Sequence, residues 1–301
     1  SWSYGCSATS AAMIAAYYDR TGYPNMYTGP TNGGVMPMDN SVWGYTRWPS
    51  CDGSVGTRRF AENPLSATHE GIDGRPGRGH VDDYWVGYLC PGPDPFVSNG
   101  WPEHTRGDCT ADYMNTNKWL SSDDELNVDG STVFFYDGTG AETPTSVLAA
   151  QPAPVSYDGG LGFERYYESR GYAVSTAYNQ YVRGHGSNPS LGFTYAQYKA
   201  EIDAGRPVMI HASGPEGGHT MVGVGYDDTS SDLMYIHDTW DYDLHTMPWD
   251  GSYSGMSLYG VTVVQLEPTS TAAPTVANIT PSSGFNTGAV HVTDLSGSDF
   301  Q

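Results

Sequence analysis

The 301-residue chain is short of positive charge: 13 Lys and Arg stand against 34 Asp and Glu, the formal net charge is −21, and the only lysines are Lys118 and Lys199. Such an acidic chain repels phosphates, which argues against nucleic acid or an anionic membrane surface as partner. Long apolar runs are also lacking. No stretch of about 18 apolar residues occurs, so no helical membrane span is expected. Charged residues of both signs make up only 16% of the chain, while it carries 38 glycines and 23 tyrosines. This composition suggests a loop-rich protein secreted or held at the cell surface. Cysteine is scarce too, with Cys6, Cys51, Cys90 and Cys109. Four thiols allow two disulfides in an oxidising compartment. If Cys6 is kept free, one bridge and one odd thiol remain, and Cys90 with Cys109 is the preferred pair because they flank one Pro/Gly-rich loop. No initiator Met or signal peptide opens the sequence, as expected of a mature form or an excised fragment.

What is present is most informative at the beginning. Gly5-Cys6-Ser7-Ala8-Thr9-Ser10 leads into an apolar run from Ala11 to Tyr18. Gly5 lets the chain turn, the hydroxyls suit a first helical turn, and the run that follows predicts a buried helix ending near Gly22. Cys6 then sits at the positive end of a helix dipole, which favours thiolate, the nucleophilic form. A small core cysteine is the competing reading.

Residues 23–117 are dense in Gly, Pro, Asn, Asp and aromatics and read as long ordered loops. His80, Asp82 and Asp83 within them are candidates for a metal or acid site, with a short helix start anchored by Tyr84 and Trp85 as the favoured reading, and the acidic run at 121–129 lacks the regular spacing of a calcium loop and reads as a solvated turn. Thr132–Tyr136 reads as a strand, 161–170 as a helix, and Tyr172–Ala177 as a strand. Thr194-Tyr195-Ala196-Gln197 is a capping box opening a helix that Gly205 and Pro207 stop. Strands follow at Val208–Ala212, at Met221–Tyr226 behind His219, at Leu233–His237 and at Leu258–Leu266. A Pro/Thr/Ser/Ala linker at 268–274 then separates a domain at 1–267 from a short β segment at 275–301. Those last residues are too few for an independent β-sandwich, and the chain is expected to stop inside a second domain.

A thiol nucleophile needs a base within reach and a third group to hold the base in its tautomer. His219 and Asp238 stand at opposite ends of one predicted hairpin, and antiparallel pairing brings such ends together. Cys6, His219 and Asp238 are therefore the candidate catalytic set. His211, inside the preceding strand, is the rival base. His237 adjoins Asp238 but points to the other face of its strand. A zinc site from Cys51, Cys90, Cys109 and a histidine has no close ligand pair behind it. No metal or organic cofactor is expected.

Three stretches carry a resemblance. Tyr4–Met13, Ala204–Ile210 and Gly218–Asp227 with Asp238-Thr239-Trp240 are similar, in order and separation, to the nucleophile helix, the helix-to-strand step and the His strand of papain-like cysteine peptidases, nearest the bacteriocin-processing, double-glycine-leader branch. The resemblance implies an α+β fold with a helical lobe and an antiparallel sheet lobe. It also implies peptide or protein substrates cleaved through a thioester intermediate by Cys6, His219 and Asp238. Papain-like enzymes usually place an oxyanion Gln about six residues before the cysteine, a position that falls before Ser1. Ile279-Thr280-Pro281-Ser282-Ser283-Gly284 and Gly297-Ser298-Asp299-Phe300 resemble the first strands of an IPT/TIG immunoglobulin-like domain, which implies a multidomain extracellular parent. An amidase or acyltransferase on the same scaffold, and an extracellular binding module with a vestigial site, are the alternatives.

Overall fold

A computed structural model describes residues 5–24, 26, 109–116, 130–150, 158–215, 217–229 and 231–268, and the backbone of strands at 45–49, 57–61, 275–280 and 294–298. The chain divides into two compact units, Ser1–Glu267 and Pro268–Gln301.

In the first unit the helices are α1 (Gly5–Arg20), α2 (Thr110–Met114), α3 (Thr145–Ala149), α4 (Gly159–Ser169) and α5 (Tyr195–Asp203). Two strands, β1 (Tyr45–Pro49) and β2 (Thr57–Ala61), form an antiparallel pair. The main sheet uses β3 (Thr143–Pro144), β4 (Val174–Tyr181), β5 (Val208–Gly214), β6 (Gly217–Asp227), β7 (Leu233–His237), β8 (His245–Pro248), β9 (Ser252–Tyr253) and β10 (Met256–Leu266). Its order is β3-β4-β10-β5-β6-β7-β8, with β9 also paired to β10, and every pairing is antiparallel.

Strand alternation divides the core between the two faces of this sheet. Met209, Val222 and Val264 pack on one face with Ala11, Ile14, Ala15 and Tyr18 of α1 and Phe163, Tyr166 and Tyr167 of α4. Ile210, Met221 and Val263, each adjacent in sequence to one of those three, pack on the other with Tyr195 and Tyr198 of α5. The alanines of α1 are what let it lie close against β6. Helix α4 approaches α2 just as closely. A methyl group on Gly162 would stand 2.1 Å from the Tyr113 carbonyl oxygen, so only glycine fits there. The capping box at α5 is complete: Thr194 Oγ1 accepts from Gln197 N, and the Gln197 side chain accepts from Thr194 N.

Two sequence expectations need correction. Thr132–Tyr136 forms no strand. It makes one isolated bridge, Val133 to Asp158, and the Phe135 N–H donates to Asp158 Oδ2 at 2.7 Å, so a carboxylate takes the place of a ladder partner. The strand expected at 172–177 begins two residues later and runs to Tyr181, because it pairs with β10 along its whole length. In the second unit, β11 (Thr275–Thr280) and β12 (Asp294–Ser298) pair antiparallel. Cys51, Cys90, His69, His80, Asp82, Asp83 and the acidic run at 121–129 lie outside the described residues, as does the proposed Cys90–Cys109 pairing. No described helix is long and apolar enough to cross a membrane.

Candidate active site

Cys6 is the second residue of α1 and is a free thiol. Gly5 sets its position. Its φ is +88°, and a methyl group there would stand 1.7 Å from the Gly130 carbonyl oxygen. No other residue can make this entry into the helix without the backbone moving. Helix α1 then lies on β6, fixed by Ser10 Oγ donating to the Thr220 carbonyl at 3.2 Å and by the Ser7–Thr220 hydroxyl pair at 2.8 Å.

The sheet supplies the other half. The ladder between β6 and β7 ends at Val222 opposite His237, two residues short of Thr220. The chain then turns away through Asp238 and Thr239, which has a φ of +69°. The Thr220 N–H donates instead to Cys6 Sγ at 3.4 Å. Beside it, the His219 imidazole hydrogen-bonds the same sulfur. His219 Nε2 lies 2.7 Å from the main-chain oxygen of Asp238. A carbonyl oxygen can only accept, so Nε2 carries a proton and the opposite ring nitrogen serves the thiol.

Of the expected set, the structure therefore brings Cys6 and His219 into direct contact, and Asp238 meets the imidazole through its backbone. The Asp238 carboxylate is buried and engaged elsewhere. Oδ1 accepts from the Trp240 N–H at 2.9 Å and Oδ2 from the Tyr253 hydroxyl at 2.6 Å. Trp240 stacks on the His219 ring at 4.4 Å between centroids.

The electrostatics are mutual. Burial alone pushes the Cys6 thiol up, but the hydrogen bond and charge of His219 and the Thr220 N–H outweigh it, and the net shift is downward. Burial likewise favours neutral His219, yet the Cys6 contact, the Asp238 carbonyl and the Asp238 charge raise its pKa. Thiol down and imidazole up is the signature of a thiolate–imidazolium pair. His211 is different: full burial pushes its pKa down to about 3, and it stays neutral among hydroxyls. Asp238, Asp241 and His245 form the one described group whose donor atoms approach closely enough to share a metal ion. His245 Nε2 is already hydrogen-bonded to Asp241 Oδ1 at 2.9 Å.

Residues 149–255 match the Peptidase_C39 like family. The match spans His219 and Asp238, leaves Cys6 outside it, and supports a papain-like cysteine peptidase family. The mixed helix and antiparallel sheet is compatible with that α+β fold. No curated protein matches the chain.

Sequence reasoning missed Thr220, Ser7 and Tyr253. Thr220 and Ser7 are the chain neighbours of His219 and Cys6, so adjacency was a usable signal. Nothing in the sequence marked Tyr253, which reaches Asp238 only through the β9 turn.

Proposed function

We propose that this protein is a secreted cysteine peptidase in which Cys6 is the nucleophile and His219 the general acid–base. The contact between the Cys6 thiol and the His219 imidazole at a helix N-terminus carries this reading. The thiolate attacks the peptide carbonyl, and the Cys6 backbone N–H, in the first turn of α1, is the donor assigned to the developing oxyanion. Imidazolium protonates the leaving amine, and a thioester joins the acyl group to Cys6. Neutral His219 then takes a proton from water, which releases the acid and restores the thiolate. Asp238 keeps the ring in its tautomer through the main-chain oxygen on Nε2. Its carboxylate adds negative charge and holds Trp240 over the ring. The acidic, lysine-poor surface and residues 275–301, read as the opening of an IPT/TIG domain, support an extracellular setting.

The test is hydrolysis of a mixed fluorogenic peptide library, with labelling by an epoxide inhibitor of thiol peptidases followed by peptide mapping. Cleavage is expected, with the label on Cys6, and both are expected to vanish in Cys6→Ala and His219→Ala. Cleavage that survives in Cys6→Ala would sink the proposal.

A further inference from the structure

Behind the reacting pair, a row of buried polar side chains crosses the sheet where apolar residues would ordinarily fill the face toward α1. Asp158, Asn179, Thr262, His211, Thr220 and Ser7 are all buried. Asn179 pairs with Thr262 across β4 and β10, and His211 pairs with Thr220 across β5 and β6. The side chains form one unbroken chain of hydrogen bonds, and its proton order follows from donor and acceptor capacity alone.

Asn179 Nδ2 donates to Asp158 Oδ2 at 2.7 Å and to the Phe135 carbonyl at 3.2 Å, which turns Oδ1 toward Thr262. Thr262 has one hydroxyl proton, and it goes to that Oδ1 at 2.6 Å. Thr262 Oγ1 must then accept from His211 Nε2 at 2.9 Å. Neutral His211 has spent its single proton, so Nδ1 is a bare acceptor, and the Thr220 hydroxyl donates to it at 3.3 Å. Thr220 Oγ1 in turn accepts from Ser7 Oγ at 2.8 Å. Every proton points away from Cys6 toward the Asp158 carboxylate, which four N–H groups hold in place.

The Ser7 hydroxyl also stands within hydrogen-bonding reach of the Cys6 sulfur, where donating its proton lowers the thiol's pKa, so that single proton has two takers. We propose that His211 is a positioning residue for the nucleophile: by accepting from Thr220 it commits the Ser7 proton to Thr220 and keeps it off the thiolate. This inference rests on the reading of Cys6 as nucleophile. A thiolate that accepts an additional hydroxyl hydrogen bond is more stable and less nucleophilic. The chain thus leaves the sulfur to His219 and the Thr220 N–H, and its lone pairs open for attack.

The test reads the pH dependence of Cys6 alkylation by iodoacetamide in the full chain, with circular dichroism confirming each fold. The groups that titrate around the sulfur are His219 on β6, with Asp238 behind it, and Tyr259 on β10. Tyr136 and Tyr259 flank His211. None of these is altered by the variants. Ser7→Ala is expected to leave the wild-type midpoint where it is. His211→Phe frees Thr220 to donate to Ser7 and Ser7 to donate to sulfur, so the midpoint falls by about one pH unit, a tenfold change in thiolate ratio at fixed pH. Adding Ser7→Ala to His211→Phe is expected to cancel the fall. His211→Gln offers an acceptor to Thr220 and a donor to Thr262, and is expected to restore the wild-type midpoint. If His211→Phe does not fold, Thr220→Val removes the same acceptor for the Ser7 proton and is expected to give the same fall. A wild-type midpoint that rises in Ser7→Ala, or one that does not move in folded His211→Phe or in Thr220→Val, overturns the inference. An ordinary wild-type midpoint of about 8.5 instead overturns the nucleophile reading itself, so the two failures are distinct.

Discussion

Acid should loosen this fold through His211, by an amount that the structure fixes. The buried ring takes a proton only at about pH 3, while a solvated histidine takes one at 6.5. Between those values the unfolded chain binds more protons than the folded one, so stability rises with pH and is lost as pH falls through 6.5. Full protonation of the unfolded reference against a neutral native ring is worth at most about 5 kcal/mol, from 3.5 pH units at about 1.4 kcal/mol each. At pH 5 the loss is about 2 kcal/mol and at pH 4 about 3 kcal/mol, with almost none above pH 7.5. That is a large share of a domain's ordinary stability. Urea unfolding followed by tryptophan fluorescence from pH 8 to 4.5 measures it. Other groups titrate in the same range, and raised His219 acts with the opposite sign, being stabilising below its unfolded pKa and losing that contribution as pH rises. The informative quantity is therefore wild type minus His211→Gln, which keeps both hydrogen bonds and removes the titrating ring. The difference is expected to fall by about 2 kcal/mol between pH 7.5 and 5. A difference flat to within about 0.5 kcal/mol over that span would refute the argument, since it would mean that the ring is hydrated or charged in the native state.

Asp238→Asn keeps the main-chain oxygen on His219 Nε2 and an acceptor for the Trp240 N–H, and loses the charge and the acceptor for Tyr253. Its kcat/KM on a peptide substrate is expected to fall on the order of tenfold, far less than the roughly 10⁴-fold loss that follows when a carboxylate bonded directly to the imidazole is replaced; a loss above about 10³-fold would show that the carboxylate itself orients the ring. Gly5→Ala adds a methyl group 1.7 Å from the Gly130 carbonyl at a φ of +88°. It should cost more than about 3 kcal/mol in thermal unfolding, and a variant of wild-type stability with normal Cys6 alkylation would contradict the close approach.

What the sequence made legible was local. The capping box at Thr194, the apolar face of α1 and the β6–β7 hairpin each depend on residues a few positions apart, so periodicity and turn chemistry place them, and the hairpin carries His219 and Asp238 to the same end of the sheet. The contact of Cys6 with β6 spans more than two hundred residues of chain. Only its likeness to known enzymes made it readable, because the packing of α1 on the sheet is not encoded in any one stretch. Two features stayed hidden for different reasons. Asp238 was marked by residue type, but which of its atoms meets His219 depends on the positive φ at Thr239 and on Tyr253, neither of which leaves a pattern. The buried polar row was hidden because each member looks like an ordinary strand residue, and their common face appears only with the register of four strands. That register has its own logic. Met209, Val222 and Val264 bury toward α1 from the same face that presents His211, Thr220 and Thr262. A one-residue slip of any of these strands would turn a polar side chain into the apolar layer under α5 and leave its former partner buried and unsatisfied. The row that orders protons behind Cys6 therefore also penalises every neighbouring register, and the geometry of the nucleophile and the pairing of the sheet are specified by the same hydrogen bonds.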